Sequence, residues 1–184
     1  MEMDKEKEIP RRKELRIKQY DYSSTGAYFI TICIKNRKRI LSDIIKPVGV
    51  GALDDPKIRL TAIGKIVEKN LLSSENISGV KIDRYVIMPD HIHAIILLDS
   101  DKYAGVSKGS SRTPVPTNVE RANSACSQFV STFKRFCNKE YGENIWQARF
   151  NDHIIRNRDD YEEHVKYICE NPMRWYYDEL FSEE

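Results

Sequence analysis

The chain has 184 residues, of which 40% are hydrophobic and 10% aromatic, a composition typical of one globular domain. Its 30 basic and 28 acidic residues nearly balance, so the net charge of +2 does not identify a class of partner. No apolar run approaches the ~20 residues of a membrane span, and the N-terminus lacks a hydrophobic signal core. We therefore expect a cytoplasmic protein with no membrane contact.

Charge and composition divide the chain into three parts. Residues 1–18 are charged and poor in large apolar groups, which predicts a flexible basic arm. A single domain is predicted over 19–176, followed by an acidic tail over 177–184. The four cysteines show no C-x-x-C spacing, which argues against a structural zinc site and against a disulfide framework.

The N-terminal half of the domain predicts a strand, an irregular segment and a helix. Residues 28–34 are β-branched and aromatic and precede a basic turn over 35–39, the pattern of a central strand. Residues 46–57 contain glycines and prolines and are predicted to be a loop or a small hairpin. Over 60–72, apolar residues recur at helical spacing, with Thr61 in position to cap the helix.

Two strands and a long connection follow this helix. The strands are predicted over 80–88 and 91–98, and Pro89-Asp90 supplies the tight turn between them. Residues 99–118 are rich in serine, glycine and proline and lack periodicity. We expect an exposed connection there.

The C-terminal part predicts a long helix and a short strand. Apolar residues recur at intervals of three and four from 119 to 141, and Gly142 ends the run. Residues 150–156 are predicted to be a short strand or extended segment.

A final helix completes the predicted order. Asn157 or Asp159 is placed to cap it, and we expect it to end near Pro172, because the residue before a proline disfavours helical backbone. The order is β-α-β-β-α-β plus a C-terminal helix. This order predicts an α+β fold of the ferredoxin-like split βαβ type, an antiparallel sheet with helices packed on one side.

The strand over 91–98 begins with His91-Ile92-His93. Side chains alternate along a strand, so both imidazoles project to one side while Ile92 faces the other. Two convergent neutral imidazoles can hold a divalent metal, although alternating histidines are also found as structural or solvent-facing residues. On the final helix, Tyr167 and Asn171 lie one turn apart on one face. Alone, they fit a packing ring and a helix terminator equally well.

Three short segments occur in a recognisable order. Residues 85–93 read YVIMPDHIH, residues 146–147 read WQ and are followed by HIIR at 153–156, and residues 167–172 read YICENP. Together they resemble the single-tyrosine transposases of the HUH endonuclease superfamily, in the branch of the REP-associated tyrosine transposases. The resemblance runs from about residue 20 to residue 175.

The resemblance implies a ferredoxin-like transposase or nuclease domain, or a domesticated hairpin-processing enzyme. Such enzymes cut single-stranded DNA through a 5′-phosphotyrosine intermediate. The resemblance implies that imperfect hairpins are the substrate and that the protein lies at the nucleoid when it acts. At the matching positions, Tyr167 is the expected nucleophile. His91, His93 and Asn171 are the expected ligands of Mg²⁺ or Mn²⁺. Relatives include monomers and homodimers, and either state is expected.

Basic and aromatic residues near these segments are candidate DNA contacts. Cationic side chains neutralise phosphates, and exposed rings stack on unpaired bases. For His153, a purely structural role is an equal alternative. The candidates are Arg11, Arg12, Lys13, Lys35, Arg37, Lys38, Arg39, Trp146, Arg149, His153 and Arg156.

Three other interpretations stay open on the sequence alone. The first is a domesticated, non-transposing protein that binds DNA hairpins. The second is a His-x-His metal oxygenase or hydrolase, which would require a carboxylate or a third histidine as ligand, with Asp90 and His153 as the nearby candidates. The third is a non-catalytic protein that binds single strands.

Overall fold

A computed structural model of the chain describes residues 26–45, 56–99, 102 and 125–182, the last four as backbone only. The predicted arm over 1–18 and nearly all of the connection over 99–118 lie outside these residues. The same holds for three of the predicted DNA contacts, namely Arg11, Arg12 and Lys13.

The described part contains six strands, three α-helices and two short 3-10 turns. The strands and α-helices are, in chain order, β1 (Gly26–Cys33), β2 (Ser42–Ile45), β3 (Lys57–Leu60), α1 (Ala62–Ser73), β4 (Val80–Ile87), β5 (His91–Leu98), α2 (Ala125–Tyr141), β6 (Asn151–Ile155) and α3 (Arg158–Ser182). Among the described residues, no helix is both long and apolar enough to cross a bilayer.

The main sheet has the strand order β4-β5-β1-β6, and all of its neighbouring strands are antiparallel. With α1 between β1 and β4, and α2 between β5 and β6, the main elements follow the predicted β-α-β-β-α-β order. The predicted α+β class, the antiparallel sheet and the additional C-terminal helix are confirmed. Strands β2 and β3 form a separate antiparallel pair on either side of the segment that was predicted as a loop or hairpin.

Alternate residues of the central strands face two different layers. Ile32 on β1 and Ile92 on β5 are fully buried in a core that includes Val67 of α1 and Phe129 of α2. The opposite face of the sheet packs against α3, where Ile95 and Ile168 belong to a second buried cluster. Helix α3 therefore covers the face from which the odd-numbered side chains of β5 project.

The helix ends follow the predicted capping chemistry. The hydroxyl oxygen of Thr61 accepts the backbone N–H of Gly64 at 3.0 Å at the start of α1. Helix α2 ends before Gly142, whose φ of +95° suits a glycine. At the start of α3, Oδ1 of Asn157 accepts the backbone N–H of Asp160 at 2.9 Å, so Asn157 is the cap.

Helix α3 does not end near Pro172, and that prediction is wrong. The helix runs through Pro172 to Ser182. A proline inside a helix loses one backbone hydrogen bond and costs about 3 kcal/mol. Ile168 before it and Trp175 after it both pack in the cluster between α3 and the sheet, and their burial offsets this cost.

Candidate active site

The two histidines at the start of β5 converge beneath α3. His91 is 6% exposed and His93 is 4% exposed, and both lie on the α3 side of the sheet. Their Nε2 atoms are 2.9 Å apart, and their rings meet edge to face with centroids 4.5 Å apart. The alternation of the strand thus brings both rings to one point.

Asp90 and Arg37 support His91 on the edge of its ring that faces away from His93. Oδ1 of Asp90 lies 2.5 Å from Nδ1 of His91, and Oδ2 of Asp90 lies 2.9 Å from Nε of Arg37. Arg37 has a φ of +53°, a left-handed conformation that costs an ordinary residue roughly 1–2 kcal/mol. The buried Asp90 carboxylate therefore holds an arginine on one side and a histidine on the other.

His93 is held by residues of the neighbouring strand β1. Thr31 pairs with His93 in the β1–β5 register, and Oγ1 of Thr31 lies 2.8 Å from Nδ1 of His93. The ring of Phe29 stacks on His93 with centroids 5.3 Å apart and planes 18° apart. Both contacts fix the orientation of the imidazole.

Hydrogen-bond chemistry assigns the protons of the pair. The Asp90 carboxylate only accepts, so Nδ1 of His91 carries a proton and its Nε2 presents a lone pair. Nε2 of His93 then donates to Nε2 of His91, and the Thr31 hydroxyl donates to Nδ1 of His93. Because a hydroxyl both donates and accepts, Thr31 also suits the tautomer in which Nε2 of His93 is a free ligand atom.

Both imidazoles are neutral at neutral pH. Burial lowers the pKa of His91 by more than the hydrogen bond and charge of Asp90 raise it. Burial, followed by the charges of His91 and Arg37, lowers the pKa of His93 to about 3. Neutral imidazole is the form that binds metals.

One face of α3 lies over this pair. Tyr167, Asn171 and Trp175 follow one another at intervals of four residues and therefore share that face. The Tyr167 ring meets His93 edge on with centroids 5.1 Å apart, and Trp175 lies 5.9 Å from His91. Asn171, between them, is 7% exposed. The phenol and the amide predicted from the sequence thus face the histidine pair.

Strands β1 and β5, helix α3 and the turn after β1 enclose a cavity of about 550 Å³. Its lining includes cationic, amide, aromatic and carboxylate groups. The lining residues are Thr31, Cys33, Arg37, His91, His93, Asn151, Tyr167, Asn171, Arg174, Trp175 and Asp178. All four residues predicted to form the catalytic and metal site belong to this one cavity.

Two arginines place positive charge beside the aromatic rings of α3. The guanidinium of Arg174 lies 5.6 Å from the centre of the Tyr167 ring, and its Nη2 lies 2.8 Å from Oε2 of Glu170. The guanidinium of Arg39 lies 5.3 Å from the centre of the Trp175 ring. Positive charge next to a phenol suits an anionic ligand such as a phosphate.

A second group of ionisable side chains joins β6 to α3. Nε2 of His153 lies 2.9 Å and 3.0 Å from the two carboxylate oxygens of Asp160. Nδ1 of His164 lies 3.2 Å from Oδ1 of the same carboxylate. The three residues could hold a metal ion, since their ligand atoms all lie within 4.8 Å of one another. The histidine pair on β5 lies outside this group.

The predicted DNA contacts fall into different environments. Lys35, Lys38, Arg149 and Arg156 are exposed. Trp146 is 1% exposed and packs against Phe133 in the core, so its ring is not available to stack on a base. We therefore correct the proposed contact set by removing Trp146.

Several residues of the cavity were not identified from the sequence. Thr31 gives no local signal, and only its register opposite His93 reveals its role. Arg174 lies seven residues after Tyr167, which is two helical turns, but the expected end of the helix near Pro172 concealed this relation.

No protein-family model matches the chain. An uncharacterised protein of Haemophilus influenzae is 30% identical over 187 residues, covering 94% of each chain. A REP-associated tyrosine transposase of Escherichia coli is 25% identical over 153 residues, which are 83% of this chain and 70% of that protein. A protein of H. influenzae provisionally named as another such transposase is 28% identical over 166 residues, which are 89% of this chain and 79% of that one.

The fold is also similar to that of a solved protein. A REP-associated tyrosine transposase bound to a REP hairpin superposes with a TM-score of 0.54 at 22% sequence identity. The match covers 86% of this chain and 73% of that one. This likeness shows a shared fold over most of the chain.

Proposed function

Since the chain belongs to the family of REP-associated tyrosine transposases, we propose that it cuts and rejoins single-stranded DNA hairpins with Tyr167 as the nucleophile. One observation carries the proposal: the Tyr167 ring faces His93, with centroids 5.1 Å apart, in the cavity that His91 and Asn171 also line. The solved relative that is bound to a REP hairpin supports hairpins as the substrate class.

The donors in this cavity fit a divalent cation. The neutral His91 and His93 bring their Nε2 atoms within 2.9 Å of each other, and Asn171 is a buried amide on the same cavity wall. These three residues would hold Mg²⁺ or Mn²⁺, although imidazoles by themselves prefer Zn²⁺ or Ni²⁺. When bound, the ion would polarise the scissile phosphate as a Lewis acid.

The surrounding residues position the ligands. Asp90 keeps the proton of His91 on Nδ1 and so directs the lone pair of Nε2 into the cavity. Thr31 stabilises the orientation of His93 from the other side. Phe29 stacks on His93 and also meets the Tyr167 ring edge on at 5.9 Å, so the nucleophile and one ligand share a rigid aromatic neighbour.

The covalent step that we propose is an exchange of phosphodiester bonds. Oη of Tyr167 bonds to the phosphorus while the bond from phosphorus to the 3′ oxygen breaks. The 3′ oxygen takes up a proton and leaves as a hydroxyl, and the phenolic proton passes to water. The 5′ end of the DNA remains as a phosphotyrosine. Attack by another 3′ hydroxyl reverses the step and rejoins DNA without a nucleotide cofactor.

Cationic side chains supply the contacts to phosphates. Arg37 and Arg174 line the cavity, and we assign them to the phosphate next to the cleaved bond. We assign the other proposed contacts to more distant phosphates, whose charge cationic side chains neutralise. They are Arg11, Arg12, Lys13, Lys35, Lys38, Arg39, Arg149 and Arg156, whereas His153 lies against the carboxylate of Asp160.

Trapping of the covalent adduct tests the proposal. The protein is incubated with a labelled single-stranded hairpin and Mn²⁺, and adducts are counted on a denaturing gel. We expect Tyr167→Phe to abolish the adduct. Tyr177→Phe, which changes an exposed tyrosine on the same helix, should leave it unchanged. An undiminished adduct with Tyr167→Phe would refute the assignment. Hairpin binding with no adduct from the unaltered protein would favour a non-cleaving hairpin-binding protein.

A further inference from the structure

We propose that His153, Asp160 and His164 form a second metal site, for a Zn²⁺-class ion, that ties strand β6 to the first turns of helix α3. The chain's only other histidines, His91 and His93, belong to the candidate active site. The proposal does not depend on DNA cleavage.

The donor atoms already stand near coordination spacing. In a tetrahedral zinc site with bonds of about 2.0–2.2 Å, neighbouring donor atoms lie roughly 3.3–3.5 Å apart. The distances from the Asp160 carboxylate are 2.9 Å and 3.0 Å to Nε2 of His153 and 3.2 Å to Nδ1 of His164. Small outward shifts of the rings would accommodate an ion, because the His153 side chain is 46% exposed and has solvent beside it.

The donor chemistry selects the class of ion. Two imidazoles and one carboxylate favour Zn²⁺ and its transition-metal neighbours, whereas Mg²⁺ prefers oxygen donors. Partial burial raises the pKa of Asp160, but the backbone N–H of Arg156 and the ring of His153 outweigh it, and the pKa is lowered. Asp160 is therefore an anionic ligand at neutral pH.

The proposed site is open to solvent, and one hydrogen bond of His164 competes with ion binding. The His153 side chain is 46% exposed, so the site is open to solvent and could complete its coordination with water. Nδ1 of His164 also lies 2.7 Å from the backbone carbonyl oxygen of Asp160. The carbonyl and the carboxylate only accept, so Nδ1 of His164 and Nε2 of His153 each carry a proton here. On ion binding these protons would move to the other ring nitrogen, and the freed lone pairs would take the ion.

An ion at this site would steady the nucleophile helix. His164 precedes Tyr167 by three residues, so the two share one side of α3. Phe29 packs on His164 with centroids 4.6 Å apart and on His93 with centroids 5.3 Å apart. The ion would thus fix the helix on the strand edge beside the catalytic tyrosine.

The four histidines of the chain fall into two pairs, one in each proposed site, so one pair can be removed while the other is tested. The full chain carrying His91→Asn and His93→Asn retains only the imidazoles of the proposed site. Co²⁺ is titrated into this variant, and binding is followed by calorimetry and by visible absorption. Thiolate charge-transfer bands in the spectrum would indicate that cysteines bind the ion. We expect one ion per chain without those bands. Zn²⁺ should then raise the Tm by an amount that grows with the logarithm of its concentration relative to Kd.

A further substitution locates the ion. Adding His153→Asn, at a side chain that is 46% exposed, should weaken binding at least tenfold and remove the Zn²⁺-dependent rise in Tm. Adding Asp159→Asn, at the exposed neighbouring acid, should change neither. The proposal is overturned if the double variant binds no ion, or if its ion persists at the same affinity after His153→Asn. A circular dichroism melt confirms that each variant is folded. Because the readout is ion binding, a failure here is separate from a failure to form the DNA adduct.

Discussion

Oδ1 of Asp90 lies 2.5 Å from Nδ1 of His91, on the side of the imidazole that faces away from His93. The carboxylate is 4% exposed and also binds Nε of Arg37 at 2.9 Å. A carboxylate behind a metal-binding histidine increases the basicity of the free nitrogen and fixes its tautomer. Asp90 therefore positions His91, the metal ligand that we propose, and is not placed as the metal-ligating carboxylate that a His-x-His oxygenase would need.

Replacing Asp90 with asparagine should weaken metal binding. Asparagine keeps the shape of the side chain but removes the charge, which leaves the Arg37 cation uncompensated close to the ion. We expect the affinity for Mn²⁺ to fall about 10–100-fold. Asp43→Asn serves as control, because it removes a carboxylate that is also paired with an arginine, Arg59, but is exposed. Calorimetric titration measures both, and an Mn²⁺ affinity within twofold of the parent in Asp90→Asn would show that the carboxylate is dispensable.

The histidine pair should make folding sensitive to acid. In the native protein the pKa of His93 is lowered to about 3, chiefly by burial, and that of His91 is lowered as well. An unfolded histidine titrates near pH 6.5, so between about pH 6.5 and 3 the unfolded chain binds protons that native His93 does not. The free energy of unfolding should therefore fall as the pH falls through this window, by up to about 1.4 kcal/mol per pH unit for one histidine.

Urea denaturation at pH 7, 6 and 5 measures this dependence. The variant carrying His91→Asn and His93→Asn should lose most of the slope below pH 6.5. His153→Asn, which removes an exposed imidazole, should keep it. Equal slopes in the parent and the double variant would mean that other groups cause the acid sensitivity.

The sequence was enough to predict which neighbouring residues share a face of a strand or helix. It did not predict the contacts between residues that are far apart in the chain. Strand alternation sufficed to place His91 and His93 on one face, and helical spacing sufficed for Tyr167 and Asn171. The contact between Arg37 and Asp90 joins residues 53 positions apart by number, and that between Thr31 and His93 joins residues 62 apart. Such pairs depend on the strand order and register, which no local pattern encodes.

Tertiary packing explains two differences between the predictions and the structure. Pro172 was expected to end α3, but apolar contacts on both sides of it keep the helix continuous. This continuation carries Arg174 and Trp175 to the cavity. Trp146 was expected at the DNA because it belongs to a recognisable segment, whereas its ring fills the core beside Phe133.

A single chain should form a complete active site. Tyr167 faces His93 of its own chain, and both line one cavity with His91 and Asn171. We therefore expect a co-expressed mixture of His91→Ala and Tyr167→Phe chains to form no DNA adduct. If dimers shared their sites between subunits, about a quarter of the sites in a random mixture would be complete. Recovery of adduct near that level would contradict the single-chain site.

Arg174 should contribute to both DNA binding and cleavage. Its guanidinium lies 5.6 Å from the Tyr167 ring, and its contact with Glu170 is on the exposed side of α3. Loss of one charged contact to phosphate should reduce the magnitude of the slope of log affinity against log salt by about 0.7 for a single strand. Loss of a charge-assisted hydrogen bond of about 1.5–3 kcal/mol should slow adduct formation roughly 10–100-fold.

Arg174→Gln is the variant that measures this contribution. Arg158→Gln is its matched control, because Arg158 makes an equivalent pair with Glu162 four residues on, at 2.7 Å, near the start of the same helix. Fluorescence anisotropy with a labelled hairpin between 50 and 200 mM salt gives the slope, and quenched time courses give the rate of adduct formation. An effect of equal size in both variants would indicate general electrostatic attraction along α3. A loss confined to Arg174→Gln would locate the phosphate beside Tyr167.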